Sequence, residues 1–300
     1  MRAAFLAGMA LLVSAPAATV AHAQPAPPAT TTVGANLNIT PKRVTFDKNH
    51  RSATVYIYNQ GTAPATFDIS LIDRVMLPNG EIVAETTDGS RPEVKAEFQQ
   101  LKSAKDILLV SPRRATLPPG QGQTIRLRVG SVPEGAAGEY RSHLTVTTIP
   151  PPSAGLSAEQ AASGQGGQLS FQITSVFGIS IPAIVRFTDP DVRAGIEGAH
   201  LEYEDVSLDG KSAPKRTPFM VFDLVRLGSS SLFGNIEIRP QGQKGGDALG
   251  FARGVGVYPE VARRKVRLAL MREPRPGDRL EITFTDDDTS PGKLLAKLDL

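Results

Sequence analysis

The 300-residue sequence predicts an all-β chain built as two β-sandwiches. Three observations predict it. Apolar residues recur at every second position in segment after segment, the period of a strand with one buried face. Clusters of Gly, Pro, Asn, Asp and Ser separate those segments, and the chain holds 28 Gly and 24 Pro. No segment of helical period competes, and the length suits two domains at ~100–150 residues each.

The chain begins with an export signal. Arg2 supplies a positive start, Ala3 to Val13 an apolar run, and Ala21-His22-Ala23 a small-residue cleavage pattern, so residues 1–23 read as a signal peptide. The run is broken by Ser14 and Pro16, short of the ~20 apolar residues of a membrane span. Residues 24–35, from Gln24, read as an extended, flexible lead-in.

The period-two pattern opens at Leu37 and Ile39, breaks at Pro41 and resumes with Val44 and Phe46, as an edge strand interrupted by proline does. Val55 and Ile57 face inward before a turn at Asn59-Gln60-Gly61. Phe67, Ile69 and Leu71 follow, then a turn at Pro78-Asn79-Gly80. Residues 84–106 are polar and poorly patterned, with a short helical turn expected from Glu93 to Lys102. Ile107 to Val110, Thr124 to Val129 and Tyr140 to Ile149 give three more strands. After a Pro-, Ala-, Ser-, Gly- and Gln-rich loop comes Gln168 to Ile181, QLSFQITSVFGISI, where Leu169, Phe171 and Ile173 alternate with polar residues. That makes about seven strands in roughly 145 residues, the count and spacing of an immunoglobulin-like sandwich. Pro182 to Pro190 reads as a hinge, which gives an N-terminal domain at 36–184 and a C-terminal one at 185–300. In the second, HLEYEDVSLD, PFMVFDLVRL, FGNIEI, GVGVYP, KVRLAL and RLEITF alternate again.

Composition narrows the function. The net charge of +3 makes no case for nucleic acid or an anionic membrane as partner, and no later segment is long enough for membrane insertion. Export with zero Cys leaves neither disulfides nor thiolate metal sites, so ordinary cores hold the protein together. His22, His50, His143 and His200 are widely spaced, without the spacing of a zinc site or a His-activated nucleophile. No G-x-S-x-G occurs, and GQGQ, GQGG and GVGV lack the third glycine of a dinucleotide fingerprint. Asp286-Asp287-Asp288 has no EF-hand spacing and reads as a solvated turn before a Ca²⁺ site. The residues support neither an enzyme nor a bound cofactor. One constellation stands out. Ile125, Leu127 and Val129 face inward, which turns Arg126 outward; Tyr140, Leu144 and Val146 do the same for Glu139 on the next strand. The two can pair and receive a third charge from the second domain, or form an exposed ion pair worth ~0–1 kcal/mol.

The stretch LLVSPRRATLPPGQGQTIRLRV followed by GEYRSHLTVTTIPPP resembles the signature of the periplasmic pilus (fimbrial) chaperones. Leu117, Pro119-Gly120, Gln123, Arg126, Glu139 and Ile149-Pro150-Pro151 match that family's pattern in order, and KRVTFD at 42–47 looks like its first strand. The resemblance covers the first domain and is faint in the second. It implies two immunoglobulin-like β-sandwich domains joined at an angle around a cleft. It also implies a mechanism: the chaperone inserts its last first-domain strand into the groove of a strand-deficient pilus subunit and passes the subunit to an outer-membrane usher, without a nucleotide. Pilin donor-strand complementation is itself a stock instance of β-augmentation. By resemblance Leu169, Phe171 and Ile173 are the donated residues, Arg43 anchors the subunit's C-terminal carboxylate, and Arg126, Glu139 and Asp286 form the interdomain charge cluster. The family's second anchor, a lysine late in the donor strand, has no counterpart: Phe177 or Gly178 stands there, and no Lys or Arg lies between Gln168 and Val185. Two rivals remain: a structural or adhesive two-domain envelope protein that keeps its last strand, and an exported carbohydrate- or metal-binding module.

Overall fold

The computed structural model describes residues 36–85, 90–150, 176–207, 209–242 and 248–300. The signal segment, the lead-in to residue 35 and the expected donor residues Leu169, Phe171 and Ile173 lie outside the described residues.

Two sheets build the first sandwich. One carries β1 (Leu37–Thr40), β3 (Ser52–Asn59), β9 (Gly122–Val129) and β7 (Leu108–Ser111), in that order across the sheet. The other runs β2 (Val44–Phe46), β11 (Gly178–Arg186), β10 (Glu139–Ile149), β4 (Ala65–Ile72) and β8 (Arg114–Leu117). The expected alternation fills the space between them: Ile39, Phe46, Val55, Ile57, Phe67, Ile69, Ile125, Leu127, Leu144 and Val146 share one core. Asn59 pins the turn that carries the chain from β3 across to β4 in the other sheet. Its side-chain amide donates to the carbonyls of Ala63 at 2.9 Å and Leu117 at 3.0 Å, so a buried polar group closes a turn without an unmet bond.

An insert stands between β4 and β7. β5 (Arg74–Met76) pairs antiparallel with β6 (Ile82–Ala84) across the expected turn, two strands absent from the sequence expectation, and the expected helical turn is helix α1 (Pro92–Gln100). Gly80, at φ 87°, allows the turn at Pro78-Asn79-Gly80. Pro92 at the helix start and Glu93 in its first turn suit a helix N-terminus. Val94 and Phe98, one turn apart, pack on Val75, Leu77 and Val83 in a small separate core.

The second set of sheets orders β12 (Ala194–Val206), β13 (Lys215–Arg226) and β16 (Arg263–Ala269) in one layer, and β15 (Gly250–Val257), β14 (Leu232–Pro240), β17 (Leu280–Asp286) and β18 (Leu294–Asp299) in the other. Ile236, Ile238, Ile282 and Phe284 alternate inward along β14 and β17 against Met220, Phe222 and Leu224 of β13. Met76 and Ile184, from the first half of the chain, also belong to this core. The expected hinge is corrected at its start. Pro182 sits inside β11 opposite His143, and the strand runs to Arg186, so the connection between the two sets of sheets begins at residue 187. A sandwich strand one place from the sheet edge tolerates proline where its missing N–H faces no ladder partner.

Candidate functional site at the junction

Three strands bring the charged residues together. β2 and β11 run parallel, with Val44 opposite Ala183 and Phe46 opposite Val185. Val44 and Phe46 point into the core, so Arg43, one residue before Val44, points out of it. On the other side of β11, Arg186 lies directly opposite Glu139 of β10. Arg43, Arg186 and Glu139 thus emerge at one end of the first sandwich, against the Gly228–Ser231 and Asp286–Ser290 turns of the second.

The contacts there are dense. Arg186 Nε donates to Glu139 Oε2 at 3.0 Å, and its Nη2 donates to Asp288 Oδ2 at 2.6 Å. Arg43 Nη2 donates to the same Asp288 oxygen at 3.0 Å, with the Phe233 ring 4.5 Å from its guanidinium carbon. Ser231 closes the set: its hydroxyl donates to Glu139 Oε2 at 3.0 Å and accepts from Arg186 at 3.3 Å and Arg43 at 3.4 Å. Burial pulls the Arg186 pKa down, but Glu139 and Asp288 outweigh it and leave the value above that of a free arginine. Arg43 Nε, Arg43 Nη1 and Glu139 Oε1 are buried and have no hydrogen-bond partner.

Two of the three residues expected in the charge cluster are not in it. Arg126 is exposed on β9, in the opposite sheet from Glu139, between Thr54 and Ser111. Glu139 does point away from the core that Leu144 and Val146 fill. That face, however, is covered by the second sandwich, so Glu139 is 6% exposed and its partner is Arg186. Asp286 spends its carboxylate on its own turn, accepting from the Asp288 and Ser290 amides and the Thr289 hydroxyl. Burial pushes its pKa up, yet those donors bring it below the usual carboxylate value. The turn that Asp286 shapes presents Asp288, and Asp288 is the acid that reaches both arginines. Arg186 was the residue missed. It carried one signal: a charge ending the apolar run ISIPAIV, where an unpaired cation is costly.

The same face of β10 meets the second sandwich twice more. Arg141 holds Glu260 through two bonds, at 2.5 and 3.0 Å, with side-chain exposures of 2% and 1%. The Tyr258 ring lies 3.7 Å from the Arg141 guanidinium carbon, and His143 meets that ring edge-on at 6.3 Å. Burial, then Arg141, Arg74 and Arg43, hold the His143 pKa well below its usual value.

A cleft of about 400 Å³ opens beside this cluster, lined by Thr45, Lys48, His50, Arg186, Asp189 and Asp288 among others. At the opposite end of β11 from the cleft, Phe177 bonds Thr148 through its amide and carbonyl at 2.9 and 2.8 Å, while Val176 and Phe177 are 55% and 56% exposed. Phe177 and Gly178 stand where the resemblance implies a lysine; the second guanidinium beside Asp288 is Arg186. Among the described residues no group of three or more His, Cys, Asp or Glu is placed to hold a metal ion. No described helix is long and apolar enough to cross a membrane.

No family model matches the chain, and no curated protein does. Solved fimbrial chaperones are similar to it in structure. The chaperone DraB of E. coli aligns at 11% identity over 89% of this chain and 96% of that one, with a TM-score of 0.43. The class 5 fimbriae chaperone CfaA aligns at 12% over 88% and 98%, with 0.41. A chain of the CsuC–CsuE chaperone–tip subunit pre-assembly complex of Acinetobacter baumannii gives 12%, 88%, 97% and 0.41. Superpositions this loose carry no functional argument; the residues of this chain have to supply it.

Proposed function

We propose that this protein is an exported, non-enzymatic chaperone of the periplasm. It binds strand-deficient immunoglobulin-like subunits of a pilus or fimbria by donor-strand complementation and delivers them to an outer-membrane usher. In this reading residues 36–184 and 185–300 act as two domains, and the strand through Leu169, Phe171 and Ile173 is offered to the subunit. Arg43, assisted by Arg186, receives the subunit's C-terminal carboxylate.

The observation that carries the proposal is the unspent capacity of Arg43. A buried guanidinium with two nitrogens lacking partners is costly to keep. A carboxylate that enters as the cover over these atoms opens supplies the missing acceptors, and charge-assisted bonds of this kind are about twice as strong as neutral ones. Arg186 supplies a second cation on the adjoining strand, at the end of β11 opposite to the position where the family pattern has lysine. The exposed Val176 and Phe177 supply an apolar lead into β11, as an offered strand requires. The rival of a structural envelope protein predicts that Arg43 serves only to join the sandwiches and that Phe171 and Ile173 fill this chain's own core.

The test is co-purification from the periplasm, with mass spectrometry of whatever is retained. The Phe171→Ser/Ile173→Ser variant should lose the retained subunit while keeping its own melting temperature, and Arg43→Ala should lose it independently. Unfolding of the serine variant, with Arg43→Ala still loaded, hands the case to the structural rival.

A further inference from the structure

The two links between the sandwiches, Arg186–Asp288 and Arg141–Glu260, are joined to each other by a third arginine. Glu260 sits in the turn between β15 and β16. Its Oε1 accepts from Arg141 and, at 2.7 Å, from the Met76 amide, so the insert hairpin is tied to that turn. The hairpin is held again where Lys265 N donates to Pro78 O at 2.8 Å. Arg226, at the end of β13, grips the turn from the other side. Its Nη2 donates to Pro259 O at 2.9 Å, its Nε to Val261 O at 3.3 Å, and its Nη1 to Gly228 O. Gly228 opens the turn that ends in Ser231, whose hydroxyl touches Glu139, Arg186 and Arg43. The Gly228 turn has little room to drift: a side chain at Gly228 would lie 2.1 Å from Asp191 O, and Ser230 N donates to that carbonyl at 3.1 Å.

Among the described residues Arg226 has no carboxylate partner; its fork is spent on backbone carbonyls of two turns. A half-buried cation bridging them in this way makes one rigid body of the Glu260 turn and the Ser231 turn. We infer that Arg226 and Glu260 are positioning residues that hold Ser231, and through it Glu139, Arg186 and Arg43, in register. Grip on the insert hairpin and geometry at Arg43 are then one property. The consequence for a bound subunit rests on the role proposed for Arg43, but the coupling is a property of the free protein and is tested there.

The experiment follows hydrogen exchange by NMR in the full mature chain, without any partner, in Glu260→Gln and Arg226→Lys. Three protons report: Met76 N–H, bonded to Glu260; Ser231 N–H and Arg186 Nε–H, both bonded to Glu139. Ile57 N–H, in the far sheet of the first sandwich, is the control. Both variants should speed Ser231 N–H and Arg186 Nε–H by about tenfold or more while Ile57 stays within about twofold. Acceleration confined to Met76 in Glu260→Gln, or no change at Ser231 and Arg186 in Arg226→Lys, overturns the coupling. So does equal acceleration of Ile57, which is general loosening. If Glu260→Gln fails to fold, Arg226→Lys decides alone.

Discussion

Arg43 and Arg186 donate to one and the same oxygen, Oδ2 of Asp288, at 3.0 and 2.6 Å. Two like charges from adjoining strands of one sandwich therefore meet on a single acid of the other, and Glu139 neutralises the second of them from behind. Removing Asp288's charge leaves two buried guanidiniums facing a neutral amide. Asp288→Asn should lower the unfolding free energy by ~3 kcal/mol, the scale for breaking a buried pair from one side. Urea denaturation measures it. A loss under ~0.5 kcal/mol would place the contact with exposed ion pairs instead.

Arg126 gives the contrasting case. It is exposed on the outer face of β9 and makes no ion pair among the described residues. Arg126→Ala should change stability by less than ~0.5 kcal/mol, as surface substitutions do, and leave small-angle scattering unaltered. Arg186→Ala should change both, because it leaves the buried Glu139 without a cation and Asp288 with Arg43 alone. Unaltered scattering from Arg186→Ala would count against a role for Arg186 in setting the junction.

This pair shows what was legible in the sequence and what was not. Alternation fixed which face of each strand looks away from its own core, and Arg126 and Glu139 do both look away. It carried no information on what covers that face: water in one case, the second sandwich in the other. The three consecutive acids at 286–288 were likewise legible as a turn, but only the fold tells which carboxylate closes the turn and which leaves it. The two strands of the insert escaped because its core is small and discontinuous; Val75, Val83 and Val94 are buried against one another across a hairpin and a helix, with no long run to show a period. β18, LLAKLD, escaped because its exposures barely alternate.

His143 predicts an acid limit on stability. In the folded protein burial first, and then the charges of Arg141, Arg74 and Arg43, hold it neutral well below its ordinary pKa of 6.5. The unfolded chain therefore binds a proton below about pH 6.5 that the folded chain refuses, and stability falls as pH drops from there, by up to ~1.4 kcal/mol per unit. Asp47 and Asp286, both lowered from 3.8, add losses of the same sign only at more acidic pH. Glu97 and His200 are raised and act with the opposite sign. The readout is thus a difference: between pH 6.5 and 4.5, His143→Gln should lose stability less steeply than the parent. Parallel pH profiles would show that His143 is protonated without cost.

Arg43 separates function from stability. In the free protein its guanidinium gains a bond to Asp288, a longer one to Ser231, and the Phe233 ring, but it keeps Nε and Nη1 buried without partners. Each unmet donor costs ~1–3 kcal/mol, which offsets the charge-assisted bond and a cation–π contact of ~0.5–2 kcal/mol. Asp288 would still hold Arg186 if Arg43 were gone. Arg43→Met, which keeps the stem against Phe233, should therefore leave the free protein within about 1 kcal/mol of the parent or slightly more stable. Retention of the periplasmic partner should fall by the worth of a desolvated charge pair, ~2–5 kcal/mol. A residue kept for joining the sandwiches gives the reverse pattern: clear destabilisation of the free protein, measured by urea denaturation, with partner retention reduced only as far as the unfolded fraction explains.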